Sequence, residues 1–147
     1  MERVLIERRL ASAPALLFPY LADHEHAAAL FGSKIVDVRG GSGVGSTREM
    51  RAAPLLPTLD ETITELVPDE LIRYRITRGS PLRDHEGVMR FSPDGTGTFL
   101  RYEITFRGAF PGVAKLVAAM LRRNIARGLE AADSAALQGR VEPGPAG

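Results

Sequence analysis

Apolar residues recur at every second position through the middle of this chain and at helical spacing toward its end. Residues 4–10 predict a first strand. In "SAPALLFPYLAD", Ser12 can cap a helix and Pro14 is tolerated in its first turn, whereas Pro19 is expected to break or kink it. Asp23 can cap a second short helix that reaches about Leu30 and is ended by Gly32. Strand-like segments follow at residues 34–39, 46–52, 59–67, 71–77, 85–91 and 98–107. Turn chemistry at residues 40–45, "APLLP", "PDE", "RGSPLRD" and "SPDGTG" separates them. Such short links imply antiparallel neighbours, because parallel pairing needs a long crossover.

Pro111 opens the last predicted element, a helix to about Leu137. Val113, Val117, Met120, Leu121, Gly128, Ala131, Ala132 and Ala135 fall on one face of its wheel, with Lys115, Arg122, Glu130 and Asp133 opposite. It is long enough to lie across one face of the whole sheet. The expected order is β-α-α-β-β-β-β-β-β-α, an α+β domain over residues 1–138 with a frayed tail at 139–147. An antiparallel sheet can cover one face and leave the other in water. Ile72, Tyr74 and Ile76 point one way and Arg73 and Arg75 the other. Leu100, Tyr102, Ile104 and Phe106 likewise oppose Arg101, Glu103, Thr105 and Arg107.

Composition narrows the function classes. The 147 residues carry a net charge of +1, which argues against a dominant attraction to nucleic acid or acidic membranes. No cysteine is present, so disulfides and thiolate chemistry are excluded. The N-terminus lacks the uninterrupted apolar core of a signal peptide, and no segment reaches about 18 consecutive apolar residues. A cytoplasmic protein without integral membrane association is expected.

"GGSGVGSTREM", residues 40–50, nearly spells a phosphate-binding loop, but Ser46 stands where the lysine belongs. The glycines lead into an alternating segment instead of a helix, so they read as a hairpin turn needing positive φ. "DHEH" offers His24 and His26, which are two apart and share no helix face. A capped, solvated helix start is expected there, with no metal and no cofactor.

Several segments together resemble the SRPBCC superfamily, the helix-grip fold of polyketide cyclases, START lipid-transfer domains and the birch pollen allergen. The carriers are "SAPALLFPYLAD", the "GxGVGxxR" pattern ending at Arg48, "ETITELVPDELIRY" and the closing amphipathic helix. The match is nearest to the polyketide cyclase/dehydrase branch. The resemblance implies a seven-stranded antiparallel curved sheet around the long C-terminal helix, with two short helices after the first strand.

An inner face that is apolar but for a few polar groups is what ligand pockets look like. Arg48 shares a face with Met50. Its guanidinium could hold a ligand oxygen, or it could pair with Glu61 on the adjacent strand. His85 falls in phase with Met89 and Phe91, and its ordinary pKa would suit a general acid or base. Tyr74 and Tyr102 also point inward. Asn124 lies near the middle of the last helix's apolar face, and Gly128 permits close approach there. The candidate ligand-binding set is therefore Arg48, Met50, Glu61, Tyr74, His85, Met89, Tyr102, Met120 and Asn124. The expected function is binding of a small hydrophobic, aromatic or lipid-like ligand in a cavity between the sheet and the C-terminal helix. The alternative is a cyclase or dehydratase with Arg48, His85 and Tyr74 as catalytic candidates. On the outer face Arg73, Arg75, Arg90, Arg101 and Arg107 outnumber Glu86 and Glu103. The mixed signs and absent exposed aromatics argue against RNA readout.

Overall fold

The computed structural model describes residues 1–108, 110 and 112–141. Its elements are β1 (Glu2–Leu10), α1 (Pro14–Ala22), α2 (His24–Ala29), β2 (Lys34–Arg39), β3 (Thr47–Arg51), β4 (Leu59–Val67), β5 (Leu71–Arg78), β6 (Arg83–Asp94), β7 (Gly97–Arg107) and α3 (Val113–Val141). The alternating segments become one curved, seven-stranded sheet in the order β1-β7-β6-β5-β4-β3-β2. Every neighbouring pair is antiparallel. Consecutive strands pair except at one end, where β1 docks on β7 with Val4 opposite Ile104 and Ile6 opposite Tyr102.

The two-residue alternation decides which face is covered. Ile72, Tyr74, Met89, Phe91, Leu100, Tyr102, Ile104 and Phe106 are all buried. Burying each large apolar side chain contributes about 2 kcal/mol. Arg75, Arg90, Arg101 and Arg107 on the other face are exposed, while Arg73 bridges Glu65 at 3.0 Å and Glu86 at 2.9 Å. This is the helix-grip arrangement that the resemblance implies.

Leu17, Phe18 and Leu21 of α1 plug one end of the covered face, where Phe18 meets Phe91 edge-on with centroids 5.4 Å apart. Two expectations for α1 need correction. Its N-cap is Ala13, without a side-chain cap, and Pro14 opens the helix. Ser12 instead bonds Asp133 of α3 through its backbone N–H at 2.9 Å and its hydroxyl at 2.5 Å. The helix also continues through Pro19, which is exposed, so the proline does not break it. The carbonyl that Pro19 leaves without a partner belongs to exposed Ala15, where water can satisfy it. Asp23 caps α2 as expected, accepting from the His26 N–H at 3.1 Å. Gly32 beyond it adopts φ +71°.

Helix α3 lies against β1 and α1. Its buried face is Ala118, Ile125, Leu129, Ala132 and Ala136. The predicted face is thus rotated: Ala131 is exposed and Met120 is 53% exposed. Asp133, assigned to the water face, reaches the β1–α1 junction. Alanines occur all round this helix and give no direction to its wheel. Gly128 does allow close approach, since a Cβ there would lie 2.9 Å from the Leu30 Cα. The predicted opening at Pro111 lies outside the described residues, and the helix runs on past Leu137 to Val141.

Candidate functional site

The glycine stretch makes the hairpin between β2 and β3, with Gly40 and Gly41 at φ +80° and +78° and Gly45 at +89°. Its consequence reaches the core. The Gly41 carbonyl accepts from His24 Nε2 at 2.9 Å. A carbonyl can only accept, so Nε2 carries the proton and Nδ1 is free to accept. Arg48 Nη1 lies 3.4 Å from that Nδ1. His24 is therefore buried and bonded at both nitrogens, which corrects the solvated helix start expected for "DHEH". His26 stacks on Tyr20 at 3.7 Å with rings 9° apart.

Arg48 is itself only 1% exposed. Its Nε donates to Glu61 Oε1 at 3.0 Å and its Nη2 pairs with the same oxygen at 2.8 Å, and its guanidinium carbon sits 5.5 Å from the Tyr74 ring centroid. Direct opposition of Arg48 and Glu61 across β3 and β4 sets up this pair. Burial pushes the Glu61 carboxyl up, and the Arg48 charge pulls against that rise. Hence one chain of contacts links turn, α2, β3 and β4. Next to it, the Tyr74 and Tyr102 hydroxyls bond one another. Burial raises both phenols above their ordinary value. Gly87 makes room for this pair, because a Cβ there would lie 2.2 Å from Tyr74 Cζ.

A pocket of about 140 Å³ opens beside this cluster, between the sheet and the N-terminal half of α3. The sheet supplies Met50, Leu59, Glu61, Ile76 and His85, and α3 supplies Val117, Met120, Leu121 and Asn124. Phe31, Ser33, Ala52, Ser80 and Leu82 complete the wall. His85 is 6% exposed, and its Nδ1 has no hydrogen-bond partner among the described residues. Burial disfavours the imidazolium and lowers the pKa to about 4, so the ring is neutral at pH 7.

Of the nine candidates, Met50, Glu61, His85, Met120 and Asn124 line this pocket. Met120 sits at its exposed rim. Arg48, Tyr74, Met89 and Tyr102 are packed in the core and do not line it. Sequence reasoning missed Ser80 and Leu82, which lie on a loop without periodicity. It also missed His24, whose partners come from distant segments. The Asp60 site went unseen as well. Arg39 at 2.8 Å and Arg78 at 2.9 and 3.0 Å grip that carboxylate. The hydrogen bonds from Arg78, with the nearby Arg39 charge, hold its pKa below the usual value.

A larger open groove of about 370 Å³ lies on the outer sheet face, lined by Arg73, Glu86, Val88, Arg90, Arg101 and Glu103. Its walls are largely ion-paired side chains facing water. Among the described residues no group of three or more His, Asp or Glu side chains is placed to hold a metal ion. No described helix is long and apolar enough to cross a membrane.

Comparison with known proteins agrees with this architecture. A family model described as polyketide cyclase / dehydrase and lipid transport matches residues 1–136. A Thermobifida fusca protein solved by NMR is 21% identical, with 97% of this chain and 96% of that one covered and a TM-score of 0.75. A Thermus thermophilus protein, TTHA0849, is 19% identical, with 94% and 99% covered and a TM-score of 0.74. A Thalictrum norcoclaurine synthase point mutant, in complex with a transition-state analogue, is 13% identical, with 95% and 96% covered and a TM-score of 0.73. At these identities the likeness is one of fold. No curated protein matches the sequence.

Proposed function

Because this chain belongs to the polyketide cyclase/dehydrase and lipid transport family, we propose that it binds a small hydrophobic or aromatic ligand between the sheet and α3. The observation that carries this reading is the pocket itself. Its walls are mainly apolar, and Ser33, Glu61, Ser80, His85 and Asn124 interrupt them. Apolar walls give affinity, and a few fixed polar groups orient what binds. Val117, Met120 and Leu121 form the helical wall, and the flexible Met120 thioether can adapt to a guest.

Native mass spectrometry of the purified protein tests the reading directly. A co-purified small molecule, or saturable binding of an apolar fluorescent probe displaced by small aromatics, is the expected result. Neither carried ligand nor probe binding at any concentration below aggregation overturns it.

The second reading is a cyclase or dehydratase acting in the same pocket. The family description and His85 favour it. Of the three catalytic candidates, His85 lines the pocket, whereas Arg48 and Tyr74 are enclosed behind its wall. A neutral buried imidazole could relay a proton. Unchanged turnover of an identified substrate by His85→Ala removes that role.

A further inference from the structure

We propose that the ligand class of this pocket is a neutral, hydroxyl-bearing, single-ring compound of phenol type, held through its hydroxyl by the imidazole of His85 and the carboxylate of Glu61. The inference rests on the binding reading above and narrows it.

Charge balance is the first argument. The lining holds no Lys or Arg, and Arg48 behind it makes both of its contacts with Glu61 on Oε1. The pair is neutral as a unit. A ligand carboxylate would enter a mainly apolar pocket with no cation available to it and with Glu61 on the wall. Burying such a charge without a partner costs several kcal/mol. A ligand ammonium would place a second cation on a carboxylate that Arg48 already neutralises. Both signs of charge are disfavoured, which leaves a neutral guest.

Hydrogen-bond supply is the second argument. Glu61 Oε2 accepts from no protein donor among the described residues. The neutral His85 ring offers one accepting nitrogen, and Nδ1 lacks a partner. Nδ1 is closed off within the protein, so a guest in the pocket meets the ring through Nε2, which carries the N–H when Nδ1 is the accepting nitrogen. The wall thus presents an open acceptor, Glu61 Oε2, beside ring and amide groups that can donate, and a guest group that both donates and accepts matches it. A hydroxyl can donate its one proton to Glu61 Oε2 and accept from the His85 ring N–H, with a second lone pair left for the Asn124 amide on the facing wall.

Size is the third. A dry apolar cavity of about 150 Å³ holds benzene, and this pocket measures about 140 Å³. One aromatic ring with a small substituent fits. A long acyl chain would have to leave past the exposed Met120.

The test is an NMR titration of the full chain with toluene, phenol and benzoate, which share one ring and differ in polar group. The expected result is that phenol perturbs the amides of His85, Glu61 and Asn124 and binds about tenfold more tightly than toluene. Benzoate is expected to bind more weakly than either. Phenol should also move the ring nitrogen resonances of His85, and toluene should not. Toluene matching phenol, or benzoate equalling it, overturns the proposal while leaving the apolar binding reading intact. Binding by none of the three overturns this proposal, while the binding reading is decided separately by the carried-ligand and apolar-probe measurements above. In His85→Phe the preference for phenol over toluene should vanish while toluene affinity remains. A retained preference overturns the role of His85. If that variant fails to fold, the ring nitrogen shifts in the wild-type protein decide alone.

Discussion

Arg48 and His85 are both buried polar residues, and they make opposite demands on the core. Arg48 is held by Glu61 on one side and His24 on the other. Removing one member of a buried pair strands the other charge. Arg48→Met is therefore expected to cost about 3–5 kcal/mol in urea unfolding, and Arg48→Met with Glu61→Leu should recover most of that loss. His85 has an unmet nitrogen, so His85→Phe should equal or exceed wild-type stability at pH 7 by about 1 kcal/mol. The sign with pH follows from the lowered pKa. Between an ordinary 6.5 and about 4 the unfolded chain takes up a proton that the folded chain refuses. Wild-type stability therefore falls as pH drops through that window, by about 3 kcal/mol at its lower end. Glu61, raised by burial, contributes the opposite sign above its ordinary 4.5. The clean readout is thus the gap between wild type and His85→Phe, which should widen from pH 7 to pH 4. A constant gap would mean that His85 titrates normally. Alternation alone made the inward set and the Arg48–Glu61 opposition legible, because strand geometry leaves two faces to choose from. It could not show that Arg48 would be sealed off from the pocket, since that depends on His24 arriving from α2.

At the scale of elements, strands read well and α3 read poorly. A strand offers two orientations, whereas a helix offers a continuous wheel, and a helix rich in alanine scarcely marks its buried side. Asp133 fixes the rotation that the wheel could not. It collects the Ala11 N–H at 2.9 Å, the Ser12 N–H at 2.9 Å and the Ser12 hydroxyl. The same Ser12 passes its carbonyl to Thr98 Oγ1 at 2.7 Å, so α3, the β1–α1 junction and β7 are tied at one point. Asp133→Ala is expected to cost about 2 kcal/mol, with accelerated amide exchange at Ala11 and Ser12. Asp133→Asn should retain part of that loss, because an amide oxygen still accepts but without charge. An unchanged exchange rate at Ser12 in Asp133→Ala would show that the tie carries no stability. This contact had no local signature, because its partners lie far apart in the chain.

For the whole molecule, turn residues and alternation were enough to set strand count and antiparallel pairing. The site's contents were less legible, since pocket walls on the 80–82 loop carry no period. What no local pattern contains is the closing contact of β1 with β7. That pairing also orders events in time. On a ribosome, β1 emerges first and waits, without a sheet partner, until nearly a hundred further residues have been added. Long-range closure of this kind slows folding toward the millisecond-to-second range. A nascent chain arrested after Asp94 should therefore leave β1 open to proteolysis, and one extended through α3 should protect it. The apolar side chains of Val4 and Ile6 are then the surface that a chaperone would meet during synthesis, long before any ligand has a pocket to enter.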